Sequence, residues 1–401
     1  MHIVRYVLQS MAPALLFIIV SIPTKRRSLF QELILLSLWL AGLITPIYYA
    51  GQFSYISSIS VSVWCWATGL KMAVWLFCMS MDERRKRLFL WTLFHWRTRS
   101  GPLSIVAKPD EYVDLPLMPY VWDCVRHQCY FELMVMSFRW LDAQRPIHIF
   151  QHALGIVLSA FYYPGGGDWL HQNPTITIDA VLVSFGMCIL FSIYLQMQMQ
   201  VTYDAFMAGC CAAYRAFPYL EQQYPQHQRR IRQVKAYIED TVTMPPMFDA
   251  PWSATSLRDF WSHRWHKFYH DSFYRLGFVP VRRTLDWIGG PHVPRSLRRI
   301  LPALAVFCFS GIMHEYFLYC AAGPKLYFGS PLGAGGWQLI FFVVQIFGII
   351  IGDLFFHEGW AGSLWAIAYM VFTSHLFVVP YLLLDNFSFA IVSMTLKAFL
   401  Q

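Results

Sequence analysis

Between Ile3 and Ile22 the chain holds a single charged residue, Arg5, and apolar runs of comparable length recur as far as Leu384. A helix needs roughly 20 such residues to cross the hydrocarbon core of a bilayer, at about 1.5 Å per residue. No water is present there to satisfy backbone groups, so each run must close its own hydrogen bonds as a helix. These runs restrict the chain to an all-α polytopic membrane protein. Charged residues make up only 13% of it, about half the share usual in soluble domains.

The runs predict membrane helices near Ile3–Ile22, Leu33–Ala50, Phe53–Met81, Ile147–Tyr163, Thr175–Gln200, Ile300–Ala321, Trp337–Phe356 and Trp365–Leu384. Phe387–Leu400 is a short candidate ninth, so about eight to nine spans are expected. They form one membrane-embedded domain over residues 1–401, with N-terminal helices in 1–163 and a motif core at about 245–315. The first run lacks the charge before it and the small-residue site after it that mark a cleavable signal, and reads as a retained span. Trp122–Arg145 mixes aromatic and charged residues and reads as an interfacial or partly buried helix.

The net charge of +8 raises nucleic acid as a partner, but the cations lie mostly between apolar runs. Lys25-Arg26-Arg27, Arg84-Arg85-Lys86-Arg87 and many arginines between Arg229 and Arg299 alternate with uncharged connections. That is positive-inside patterning, which places these segments in the cytosol and the N-terminus in the lumen, in a multi-pass protein of the endoplasmic reticulum. The nine cysteines are scattered without a CxxC pair; they read as small apolar packing residues.

Two places carry candidate chemistry. His314 sits deep in a predicted span, with Ser310-Gly311 one turn before it and Glu315 after it. Intramembrane ionisable residues are costly and mark function by default. A neutral imidazole there is suited to take a proton from an alcohol; the plainer reading is a histidine tying two helices together. Ser310 and Gly311 leave space for a ligand or a neighbouring helix, and Glu315 can orient a partner.

The second place is Ser256–Tyr274. Read as one helix, it puts Arg258, Trp261, Trp265 and Phe268 on one face and His263, His266 and His270 on another. Arg258, Arg264 and Lys267 suit phosphates, and Trp261 and Trp265 suit an adenine ring or thioester arm. The plainer reading is an interfacial helix with snorkelling cations. Three histidines from one helix rarely close a tetrahedron, and the chain has no HExxH, so no metal site is assigned.

Pro245-Pro246-Met247-Phe248-Asp249-Ala250-Pro251, Ser256-Leu257-Arg258-Asp259-Phe260-Trp261 and Arg264-Trp265-His266 together resemble the wax-synthase-like branch of the membrane-bound O-acyltransferases. Ser310-Gly311-Ile312-Met313-His314-Glu315 is similar to that superfamily's catalytic-histidine motif. The resemblance implies acyl transfer from coenzyme A to a hydroxyl, with acyl-CoA as co-substrate and no permanently bound cofactor. It maps the family's invariant histidine onto His314. It maps the second polar position, asparagine in much of the superfamily, onto His266, and an amide and an imidazole are not equivalent.

Size and motif layout also resemble related fungal proteins that acetylate terpenoid or meroterpenoid hydroxyls. The resemblance thus implies acetyl-CoA as donor and a small hydrophobic hydroxylated acceptor. Long-chain wax or steryl ester synthesis is the alternative, and a proton-coupled transporter is the alternative of another class. Oligomeric state is not legible.

Overall fold

The computed structural model describes residues 3–22, 28–86, 89–94, 117–144, 178–242, 246–329 and 335–383, and every regular element among them is helical. An N-terminal group comprises α1 (Ile3–Val20), α2 (Leu29–Tyr48) and α3 (Tyr55–Ala73), the last ending in a wide π turn, Val74–Cys78. α4 (Leu117–Gln144) packs along the 46-residue α5 (Ile178–Gln223), and α6 (Gln228–Val242) folds back on α5. After an irregular segment come α7 (Val279–Gly289), α8 (Arg295–Tyr327), α9 (Trp337–Phe355) and α10 (Trp360–Leu383).

Among the described residues, six helical stretches are long and apolar enough to cross a membrane: Ile3–Val20, Leu29–Tyr48, Ser57–Cys78, Arg295–Tyr327, Trp337–Phe355 and Trp360–Val378. The chain is an all-α polytopic membrane protein. The expected spans at Ile147–Tyr163 and Phe387–Leu400 lie outside the described residues. The run Thr175–Gln200 enters them at Ile178 as the first part of α5.

Local chemistry sets the helix starts. Ser28 opens α2 with a reciprocal capping box: its Oγ accepts from the Gln31 amide at 3.2 Å, and its own amide donates to Gln31 Oε1 at 3.0 Å. These bonds satisfy two of the amide groups a helix start leaves unpaired. Ser54 caps α3 more simply, its Oγ accepting from the Ser57 amide at 3.4 Å.

α8 is the central helix. Met313, Tyr316, Phe317 and Cys320 pack with Ala67 and Leu70 of α3. A second stripe, with Phe307 and Leu318, packs with Phe341 and Phe342 of α9 and Phe377 of α10. Lipid tails are as apolar as these side chains, so close contact and hydrogen bonds hold the helices together. A Cβ on Gly311 would lie 2.8 Å from the Leu339 Cα, so α8 and α9 meet backbone to backbone there. At Gly348 the ring of Tyr369 takes the missing side chain's place, its hydroxyl donates to the Val344 carbonyl at 2.6 Å, and Trp365 donates to the Gly348 carbonyl at 2.8 Å. α8, α9 and α10 thereby form a rigid three-helix wall, with His314 about 28 Å along α8 from Arg295.

Candidate active site

Residues 256–274 are not one helix, which corrects the expectation from sequence. Ser256 Oγ accepts from the Asp259 amide at 3.1 Å and starts a single turn, Leu257–Asp259. A widened turn, Phe260–Arg264, follows and ends where Trp265 adopts extended backbone (φ −76°, ψ 146°). The cause lies upstream. The Asp249 amide donates to the Arg264 carbonyl and the Lys267 amide to the Met247 carbonyl, each at 3.0 Å. The proline-rich segment thus competes for backbone groups that a helix would have used, and helical geometry resumes only at His270–Phe273. The two helical faces read from the sequence do not form.

The three expected phosphate cations separate. Arg264 binds its own protein: it pairs with Asp259, donates to Ser253 Oγ at 2.7 Å, and reaches the carbonyls of Asp249 and Ala250 at 3.4 Å. It clips the proline-rich segment to the turn that follows. Burial alone would raise the Asp259 carboxyl, but the Thr255 amide and the Arg264 guanidinium outweigh it and hold the group below its ordinary value. Arg258 forms an ion pair with Asp353 near the end of α9, its Nε donating at 3.3 Å. Lys267 is half-buried and has no ion pair among the described residues.

The two tryptophans also differ. Trp265 stacks on Phe260 and meets Phe248 edge-on, anchoring the irregular segment on its own aromatic residues. Trp261 points into the helical wall, against Phe307, Phe341 and Phe342, with its indole N–H 3.3 Å from Gln345 Oε1.

His314 stands in an aromatic box. Its ring stacks on Phe342 (4.9 Å, 19°) and meets Phe377 at 5.1 Å and Phe317 at 5.8 Å. His266, flanked by Phe248, Trp265 and Tyr269, connects to it through Trp265, Trp261 and Phe342, each ring in contact with the next. The fold therefore links two histidines that lie far apart in the chain through one run of aromatic rings. Burial pushes the His266 imidazole down to about 4, so it is neutral at physiological pH. Nδ1 of His266 and Nδ1 of His314 are both buried with no hydrogen-bond partner among the described residues. A buried polar atom without a partner is costly, and native structures keep few of them.

Ser310 and Gly311 are both buried, and the space at Gly311 is taken by α9. Glu315 turns away from His314 to the start of α9. Its carboxylate accepts from the Gly336 and Leu339 amides at 3.0 Å each and from the Tyr327 hydroxyl at 2.6 Å. It supplies the cap that Gly336, without a side chain, does not.

Gln338 and Gln345, neither exposed at all, escape the sequence reading. They stand two turns apart on α9, on either side of Phe341 and Phe342. Gln345 bonds to Trp261 and Thr373. Gln338 donates to the Phe377 carbonyl at 2.6 Å while its Oε1 has no partner among the described residues. Uncharged polar residues inside a predicted span are the sequence signal for them, since an amide in hydrocarbon needs a partner. A cavity of about 280 Å³ lined by Trp39, Trp66, Ala73, Leu276 and Phe309 sits beside α3 and is lined by neither histidine. Among the described residues no three His, Cys, Asp or Glu side chains gather as a metal-holding group.

The stretch that supplies these groups matches a known family. Residues 244–344, which include His266, His314 and Gln338, fit the model of the membrane bound O-acyl transferase family. This segment is of the membrane-bound O-acyltransferase type, in its wax-synthase-like form. Similar proteins include a long-chain-alcohol O-fatty-acyltransferase of Simmondsia chinensis, 38% identical over 76 residues, or 18% of this chain and 20% of that protein. Two Arabidopsis thaliana proteins named "Probable long-chain-alcohol O-fatty-acyltransferase" 2 and 6 are 36% and 28% identical over 20% and 25% of this chain, or 23% and 25% of their own lengths. The alignments thus span about a fifth to a quarter of these relatives. No solved structure matches the chain.

Proposed function

We propose that the protein is a CoA-dependent O-acyltransferase of a cellular membrane, with His314 as general base. The observation that supports this is the pair of partly buried imidazoles, His266 and His314, each with a buried Nδ1 that has no partner among the described residues, linked by successive aromatic contacts inside the matched segment. The acceptor hydroxyl gives its proton to the His314 imidazole as its oxygen attacks the thioester carbonyl carbon. The tetrahedral intermediate then expels the thiolate of coenzyme A, which takes the proton back from the imidazolium. His266 and Gln338 orient the reacting groups, His266 as donor to the developing oxyanion.

The donor reaches the site from the cytosolic side, in the endoplasmic reticulum membrane with the N-terminus lumenal. Lys267 meets its phosphates, and Arg258 does so only after leaving Asp353. Motif layout supports acetyl-CoA as donor and a hydroxylated terpenoid or meroterpenoid as acceptor. The names of the relatives support the second reading, transfer of a long acyl chain to a long-chain alcohol.

The test is ester formation in membranes carrying the protein, crossing acetyl-CoA and palmitoyl-CoA with a hydroxylated terpenoid and hexadecanol. His314→Ala membranes are the blank, expected to lose about 10²–10⁴-fold of the rate. Acetyl ester of the terpenoid that depends on His314 supports the first reading, and palmitoyl ester of hexadecanol the second. Ester formed equally well by the His314→Ala protein removes His314 as base. No ester from any pair, with solute flux that follows a proton gradient, replaces the enzyme with a transporter.

A further inference from the structure

The elbow between α7 and α8 carries a feature that acyl transfer does not use. Asp286 is exposed on α7, and so are Pro280, Arg283, Thr284, Trp287 and Ile288. The spacing of the last four at three, four, seven and eight from Pro280 makes one continuous helical face. Trp287 is 86% exposed and Ile288 71%, an arrangement unfavourable against water. The flank of α7 beside this face is tied down, although its side chains are themselves partly exposed. Asp286 takes Arg282 at 3.4 Å and Arg298 at 3.6 Å, tying α7 to the start of α8. α8 continues directly into its apolar span, so the elbow lies at a membrane surface.

Three exposed arginines lie on the two helices that meet at this elbow. Arg283 lies one turn before Trp287 on the same face, and Arg295 and Arg299 lie one turn apart on exposed positions of α8. None of the three has an ion pair among the described residues. Asp286, the acidic residue of the elbow, is already engaged by Arg282 and Arg298. A soluble phosphate would need the cations but would gain nothing from an exposed tryptophan and isoleucine. A lipid needs both, because aromatic and branched side chains settle at the boundary of acyl chain and headgroup while arginines reach the headgroup charge.

We propose that the α7–α8 elbow docks an anionic phospholipid. Trp287 and Ile288 lie against its acyl chains, and Arg283, Arg295 and Arg299 receive its phosphate. α7 follows directly from the segment that carries His266, so the lipid holds that segment against the bilayer.

The experiment uses the full chain in nanodiscs of phosphatidylcholine containing 30% phosphatidylserine, taken about as a convenient anionic fraction. Lipid retained after mild detergent extraction is counted by mass spectrometry. Wild-type protein is expected to retain phosphatidylserine above its bulk share. Each guanidinium adds about fivefold in affinity, so Arg283→Gln/Arg295→Gln/Arg299→Gln should abolish the enrichment. A matched set on α6, Arg229→Gln/Arg230→Gln/Arg232→Gln, removes the same charge elsewhere and should leave it intact. Trp287→Ala should lower it with all arginines present. Thermal unfolding of each variant separates loss of lipid from loss of fold.

No enrichment in the wild type, or equal loss in both triple variants, overturns the proposal. Enrichment abolished by millimolar inorganic phosphate (about the range of weak anion sites) would mark a soluble-anion site and overturn it as well. None of these readouts depends on acyl transfer, so the lipid site and the enzymatic reading can fail separately.

Discussion

Replacing Glu315 tests whether this neighbour of His314 belongs to the chemistry or to the scaffold. Its carboxylate receives two amide groups at the start of α9 and the Tyr327 hydroxyl, all between 2.6 and 3.0 Å. Hydrogen bonds to a charged group contribute about 1.5–3 kcal/mol each, and a buried donor left without a partner costs about 1–3 kcal/mol. Three donors stranded together in Glu315→Ala should therefore cost about 4–5 kcal/mol, since bonds sharing one acceptor are not independent. Glu315→Gln keeps an acceptor oxygen and should lose about half of that. α9 carries Gln338, Phe341 and Phe342, so the activity that remains should follow the stability that remains. The assay pairs thermal unfolding in detergent with the rate of ester formation below the transition. Glu315→Gln should be moderately destabilised and still active when cold, with Glu315→Ala markedly less stable. A Glu315→Ala protein of wild-type stability and no activity would refute the capping argument and return Glu315 to the reacting groups.

Other residues give shorter tests. His266 is held at about 4 by burial, below the roughly 6.5 of an unfolded histidine. Its contribution to stability is therefore complete above about pH 6.5 and declines as pH falls toward 4, by up to about 1.4 kcal/mol per pH unit. His266→Asn should flatten that acid decline in a thermal-unfolding series; parallel decline in both proteins would show that this imidazole is not its source. Arg264→Lys keeps the charge but not the fork that reaches Asp259, Ser253 and two carbonyls. It should lower the unfolding temperature and is not expected to act through the donor's KM alone; an intact fold with a raised KM would make Arg264 a phosphate ligand. Asp353→Asn frees Arg258 and should lower the KM for the CoA thioester, while Lys267→Gln should raise it. Unchanged KM in both variants would remove these cations from donor binding.

The membrane class was legible from sequence because a bilayer gives apolar runs one solution: the helix of about 20 residues. Ile3–Val20 and Trp337–Phe355 begin where the sequence places them. Ser256 as a helix start was legible too, because a cap depends on residues three positions away. His314 stood out by its depth in a span, and His266 through the resemblance. That a run of aromatic rings links the two could not be read, since the separation of the segments says nothing of how α8 and α9 meet the irregular stretch before α7.

The continuous helix over 256–274 failed for a related reason. The carbonyl of Met247 and the amide of Asp249 draw the backbone of Arg264 and Lys267 out of helical pairing, and propensity does not register a competitor from another segment. Arg258, Arg264 and Glu315 likewise looked available for ligands until Asp353, Asp259 and the start of α9 took them up. Sequence by itself determined what must cross the membrane and which side chains are too costly to be there by accident, because those follow from local transfer energies. Tertiary structure decided which of those side chains already have partners inside the protein, because hydrogen bonds and ion pairs form only between groups that the packed helices bring within about 3 Å.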